Sequence, residues 1–247
     1  MPTPPRSAPR SLTTAAALLA LLAAAPPAQA APGQRAAVRN INWAGYDTTG
    51  PPGTFDHVEA RWTQPSVDCT PGDENWAIFW VGLDGAQEGD TNVEQTGSGA
   101  HCETDGSEDY YVWYEMFPED PVLYNDPIRP GDDLQAEVRA LDDGRFELVL
   151  RDFTQKWNHF TYARPRNGTR AVRTSAEVLA EVPGPAGHRL ADFGRVRFTD
   201  SLVNGRPIGE RAPKASIMYS PGSDTVRALP SPLTGGGRNF TVTWKAH

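Results

Sequence analysis

The side chains here that could do chemistry are acids, amides and aromatics. Asp84, Glu94, Glu115 and Glu177 are set among apolar residues, in "WVGLDG" (80–85), "VEQTGS" (93–98), "YVWYEMFP" (111–118) and "TSAEVLAEVP" (174–183). Two carboxyls facing one another across a groove can run acid–base hydrolysis, and on a β-scaffold such a pair breaks glycosidic bonds. That chemistry has no obvious use for an amide, yet Gln95 stands next to Glu94 on a segment read as a strand ending in a glycine turn. Ser98 lies in "GSG" and lacks the G-x-S-x-G elbow. A serine triad would need His57, His101, His159 or His188 brought to it in space. "YDTTG" (46–50) is not the D-[TS]-G of paired-aspartate peptidases and has no second copy. No phosphate loop, dinucleotide fingerprint or H-E-x-x-H occurs, so neither a cofactor nor a catalytic metal is expected. Only His101 lies near a cysteine, without C-x-x-C spacing, which argues against zinc.

The elements that would position these groups are strands. Val58, Ala60 and Trp62 alternate in 58–62, as do Leu134, Ala136, Val138 and Ala140, and Phe146, Leu148 and Leu150. Period two is the signature of a strand with one covered face. Asp142-Asp143-Gly144 marks a hairpin turn. Further short runs follow at 159–163, 176–182, 195–200, 216–220 and 239–246, separated by turn residues. Many short strands without a long amphipathic helix predict an all-β fold, an antiparallel sandwich or barrel. Segment 109–118 has bulk on both faces: Tyr110, Val112, Tyr114 and Met116 on one, Tyr111, Trp113, Glu115 and Phe117 on the other. One face then packs on a second sheet. The other lines a groove of aromatics and carboxyls able to hold a peptide or a sugar.

Residues 1–30 read as a secretory signal peptide. Arg6 and Arg10 precede an apolar run from Ala15 to Ala25, then Pro26-Pro27 and the small-residue site Ala28-Gln29-Ala30. The run is shorter than the ~20 residues of a membrane helix, so no membrane association is expected after cleavage. Residues 31–39 are expected to be a flexible start and 40–247 a single domain. The formal charge is −8; the leader has two arginines and no acid, so cleavage leaves −10 on residues 31–247. Such an acidic surface argues against nucleic acid as a partner. Export to an oxidising compartment predicts that the two cysteines, Cys69 and Cys102, pair.

Taken together, "NWAGY" (42–46), "FWVGLDG" (79–85), "VEQTGS", "YVWYEMFP", "PGDDLQAEV" (130–138), "TSAEVLAEVP" and "LADFGRVRFTDS" (190–201) resemble the glutamic peptidase family, the eqolisins, in order and spacing. The resemblance runs from about Asn40 to Thr243. It implies a secreted, acid-acting endopeptidase on a two-sheet, concanavalin A-like sandwich, taking polypeptide substrates as a monomer. The family's catalytic glutamine falls on Gln95 and its glutamate on Glu177. An amide both donates and accepts, so Gln95 would position water and hold the oxyanion while Glu177 serves as general base. A base working in acid implies a Glu177 carboxyl near the reference value of about 4.3. Trp80 and Trp113 would be walls, and Asp84 and Glu115 would orient the pair. Val178 stands where the family often has an aromatic. The reading from another class is a carbohydrate-binding or glycoside-hydrolysing module, using two of Asp84, Glu94, Glu115 and Glu177.

Overall fold

Alternating apolar residues become buried faces. In a computed structural model, residues 36–166, 171–185 and 188–247 are described, together with Met1. The expected signal peptide and residues 31–35 lie outside the described residues. Seventeen strands are described: β1 (Val38–Asn40), β2 (Trp43–Thr49), β3 (His57–Thr63), β4 (Asn75–Leu83), β5 (Val93–Cys102), β6 (Glu108–Phe117), β7 (Val122–Tyr124), β8 (Asp133–Ala140) and β9 (Phe146–Asp152). They continue as β10 (Trp157–Ala163), β11 (Ser175–Glu181), β12 (Arg189–Leu190), β13 (Arg195–Val203), β14 (Arg206–Pro207), β15 (Lys214–Tyr219), β16 (Val226–Pro230) and β17 (Phe240–Trp244). One 3-10 turn, Ile208–Arg211, interrupts them. Among the described residues no helix is long and apolar enough to cross a membrane.

The pairings build two layers. The first runs β7–β6–β5–β4–β11–β2–β15, antiparallel throughout. The second runs β10–β9–β8–β3–β13–β17–β16, also antiparallel. β16 pairs with β15 as well, so the two sheets are one hydrogen-bonded sheet rolled over on itself. Between the layers lies the main core, with Phe79, Val81 and Leu83 facing Trp62, Leu134, Leu148, Leu150 and Phe198. Its polar content is paired: Ser98 Oγ donates to Gln64 Oε1 (2.6 Å) and accepts from Trp62 Nε1 (3.0 Å).

Two expectations change. β5 does not end in a glycine turn but runs straight through Gly97 and Gly99. A Cβ on Gly97 would collide with the Phe79 carbonyl and with Trp80. Glycine there lets β4 and its tryptophan lie close against β5. Residues 38 and 39, expected in a flexible start, belong to β1, because Val38–Asn40 finds ladder partners in parallel at Ser216–Met218.

Cys69 and Cys102 are disulfide-bonded, 33 residues apart in sequence. Closing a loop of that length stabilises by about 3–4 kcal/mol in the chain-entropy model. The double variant Cys69→Ser/Cys102→Ser should lose about that much in urea unfolding, and reductant should destabilise the parent but not the variant. Equal midpoints for parent and variant would show that the crosslink constrains nothing.

Candidate active site

Six strands bring one residue each to a single transverse row. Glu177 on β11 lies opposite Asp47 on β2 and, on its other side, Gly82 on β4. Gly82 lies opposite Gln95 on β5, and Gln95 opposite Glu115 on β6. Asp47 in turn lies opposite Lys214 on β15. Residues directly opposite in antiparallel strands share a face. The row Lys214–Asp47–Glu177–Gly82–Gln95–Glu115 therefore runs across the outer face of the first layer. With strands 4.7–4.9 Å apart, the backbones of Glu177 and Gln95 are roughly 9–10 Å from each other. Only the side-chain-free Gly82 stands between them. A Cβ there would meet Cζ3 of Trp80 at 2.7 Å and Cβ of Gln95 at 3.3 Å.

A cleft of about 650 Å³ opens over the Gln95 end of this row. Trp43, Ile78, Tyr111, Trp113, Phe117 and Leu123 give it apolar walls, and Gln95, Glu115 and Glu181 its polar points. This is the groove of aromatics and carboxyls expected along segment 109–118, and it lies on the face of Tyr111, Trp113, Glu115 and Phe117. Gln95 Nε2 donates to Glu115 Oε2 at 2.5 Å, which fixes the amide. Burial pushes the Glu115 carboxyl up to about 7; the Gln95 hydrogen bond offsets part of this, and Asp120 adds to it. Glu181 sits four residues beyond Glu177 on the same face of β11 and accepts from Trp80 Nε1 at 2.8 Å. Burial raises it to about 8, against the hydrogen bonds of Trp43 and Trp80, with Glu115 adding to the rise.

Glu177 itself is fully buried, and neither of its oxygens closes a hydrogen bond of good geometry. Burial raises its carboxyl well above the ordinary value. Ser175 pulls the other way, while Asp47, Asp84 and Asp90 hold it up. This overturns the expectation of a carboxyl near the reference value, for a tertiary reason: the loop 84–92 between β4 and β5 is stapled to the start of β11. Asp84, at φ 64°, accepts from the backbone N–H groups of Arg173 (2.8 Å) and Thr174 (2.7 Å). Thr174 Oγ1 donates to Asp90 (2.9 Å), and Ser175 Oγ accepts from Ala86 N–H (3.1 Å).

The expected residues thus divide. Trp113 lines the cleft, and Glu115 accepts the hydrogen bond of the Gln95 amide. Trp80 is wholly buried, leaning over Gly82 beneath the cleft rather than walling it. Asp84 staples the loop instead of touching the pair. Glu94 lies opposite Leu83 and Met116 on the core side of β5, where burial pushes it up to about 9. It is removed from any cleft chemistry. The histidines are engaged away from Ser98: His57 with Glu137, His101 with Glu74 and Glu103, His159 with Asp126, His188 with the Pro183 carbonyl. Asp47, Lys214, Trp43 and Glu181 were not singled out from the sequence. Only Glu181 carried a signal, sharing the strand alternation of Glu177 in "AEVLAEV".

A sandwich with an amide and a carboxyl aligned beside an aromatic cleft is the frame of a glutamic endopeptidase. The sequence profile of the Peptidase A4 family matches residues 41–225. The chain belongs to that family, and is a glutamic endopeptidase of the eqolisin type. Among solved structures it is similar to scytalido-glutamic peptidase with a transition-state analogue inhibitor, at 24% identity and TM-score 0.69, covering 83% of this chain and 98% of that one. It is also similar to SCP-B, an eqolisin in complex with the tripeptide Ala-Ile-His, at 22% identity and TM-score 0.64, covering 83% and 98%. Aspergilloglutamic peptidase from Aspergillus niger aligns at 25% identity and TM-score 0.59, covering 69% and 99%. Comparison with curated proteins gives no match.

Proposed function

We propose that this chain is a secreted endopeptidase that hydrolyses polypeptides in acid, with Gln95 and Glu177 as its catalytic pair. The observation that carries the reading is the register that sets an amide and a buried carboxyl on either side of Gly82, on one face. A scissile carbonyl lying over Gly82 meets Gln95, held by Glu115, as the donor to its developing oxyanion. Glu177 takes the proton of the attacking water as the C–O bond forms. It returns that proton to the leaving nitrogen as the C–N bond breaks. The base must be ionised, so substrate binding must lift the loop 84–92 and hydrate Glu177, which lowers its proton affinity. The Asp84 bonds hold the base of that loop; beyond them the hydroxyls of Thr174 and Ser175 tie it to β11, and exchanging these two bonds for solvent costs little. The apolar walls favour peptides with bulky apolar side chains, and export follows from the leader pattern of residues 1–30.

Denatured casein and a β-glucan, each incubated with the protein between pH 3 and 6, test the reading. Casein should be cut and the glucan left intact. Gln95→Ala should lower kcat/KM on a peptide about 100- to 1000-fold, the measured scale for one lost oxyanion donor. Glucan hydrolysis with casein untouched would restore the two-carboxylate alternative.

A further inference from the structure

On the far side of the row from the cleft lies an ion pair that the hydrolysis itself does not use. Asp47 is 1% exposed on β2, between the equally buried Tyr46 and Thr48. Its Oδ1 is 3.2 Å from Lys214 Nζ, and its Oδ2 accepts from Ser216 Oγ at 2.9 Å. Lys214 Nζ also reaches the carbonyl of Ala86 on the loop that covers Glu177, at 3.4 Å. A buried ion pair is a poor source of stability; an apolar pair of similar volume usually does as well or better. Here the pair stands next to Glu177 in register. Directly opposite residues have Cβ atoms about 4.5–5.5 Å apart, and Lys214 is one strand further on. We infer that Asp47 and Lys214 are positioning residues for the catalytic pair: the Lys214–Asp47 ion pair sets the proton affinity of Glu177. This rests on the reading of Glu177 as the base.

The charged groups that face Glu177 give the sign. Asp47 faces it from β2, and Asp84 and Asp90 from the loop 84–92; all three favour the protonated form. Glu181 lies on its own strand and Glu115 beyond Gln95, so neither is a counter-charge. Lys214 is the cation of the row. It offsets Asp47, so that Glu177 feels a nearly neutral pair rather than a bare carboxylate. Removing the ammonium leaves Asp47 uncompensated and makes Glu177 hold its proton more tightly. Removing the Asp47 charge leaves the ammonium facing Glu177 and makes it release the proton sooner. Two adjacent substitutions therefore act in opposite directions, which a purely structural ion pair would not do.

The experiment is a carbon-13 carboxyl titration of Glu177, assigned by difference from Glu177→Gln, alongside the acid limb of kcat/KM on a peptide. Lys214→Met should raise the Glu177 midpoint by about 1 pH unit, the size expected for a unit charge at two strand spacings with an effective dielectric near 20. Asp47→Asn should lower it by at least as much. Lys214→Arg should restore the parent profile. Lys214→Gln replaces Lys214→Met if circular dichroism shows the latter unfolded. Midpoints that stay put, or that move together, overturn the role of the pair. A folded Glu177→Gln variant that still cuts casein overturns the catalytic reading, whatever the titration shows.

Discussion

Glu177→Gln will leave a folded sandwich that no longer cleaves casein. The substitution keeps the shape of a side chain that is wholly buried, so the packing of β11 between β2 and β4 is preserved. It also exchanges a buried acid, crowded by Asp47, Asp84 and Asp90, for a neutral group. Stability should therefore hold or rise. On the proposed reading, what disappears is the group beside Gly82 that takes a proton from water and gives it to the leaving amine. Loss of one group acting as both base and acid costs on the order of 10⁴-fold in rate, against the 100- to 1000-fold expected for Gln95→Ala. The assay is casein digestion at acidic pH, with circular dichroism confirming the fold. Parent-like cleavage by the folded variant would move the base to Glu115, which lines the cleft, touches Gln95 and is pushed up to about 7 by burial.

The second large effect is on stability, and it runs opposite to the usual loss of stability in acid. Glu94, Glu115 and Glu181 are raised to about 9, 7 and 8, and Asp84 is raised as well. In each case burial is the leading cause. A raised acid keeps its proton in the folded state at a pH where the unfolded chain has released it. Above the unfolded value of 4.5 the folded state thus binds more protons, and stability falls as pH rises through 7 to 9. Glu137 opposes this at the other end. Hydrogen bonds from His57 and Arg139, against its burial, hold it at about 2, so its contribution is present above 4.5 and lost as pH falls toward 2. Stability should peak near pH 4 to 5. Each retained proton contributes about 1.4 kcal/mol per pH unit, so between pH 4.5 and 7.5 one such acid alone should lower the melting temperature on the order of 10 °C, and the three together should lower it further. The Glu177→Gln protein, expected to be inactive, is the right material, because it should not digest itself while unfolding. Glu94→Gln on that background should flatten the slope by about one proton. A melting temperature that is level or rising from pH 4.5 to 7.5 would refute the account.

What the sequence determined by itself was local or additive. Period-two alternation specified the strands and assigned the faces of 109–118, because side chains on an extended chain must alternate. Tyr110, Val112, Tyr114 and Met116 pack into or against the core, while Tyr111, Trp113, Glu115 and Phe117 line the cleft. The two cysteines of a chain expected to be exported had only each other to pair with, and they are disulfide-bonded. The ordered motifs pointed to the family, whose profile covers residues 41–225. Tertiary structure alone decided the rest, because register is set by packing between strands far apart in the chain. No local pattern says that Lys214, Asp47, Glu177, Gly82, Gln95 and Glu115 stand in one row. "YDTTG", set aside for lacking an aspartic-peptidase motif, supplies the carboxylate beside Glu177. Glu94 and Gln95, adjacent in sequence, point to opposite faces, one into the core and one into the cleft. The proton affinity of Glu177 follows from the loop that covers it and the three aspartates around it. Burial is a property of what packs on top of a residue, and its neighbours in the chain do not encode it.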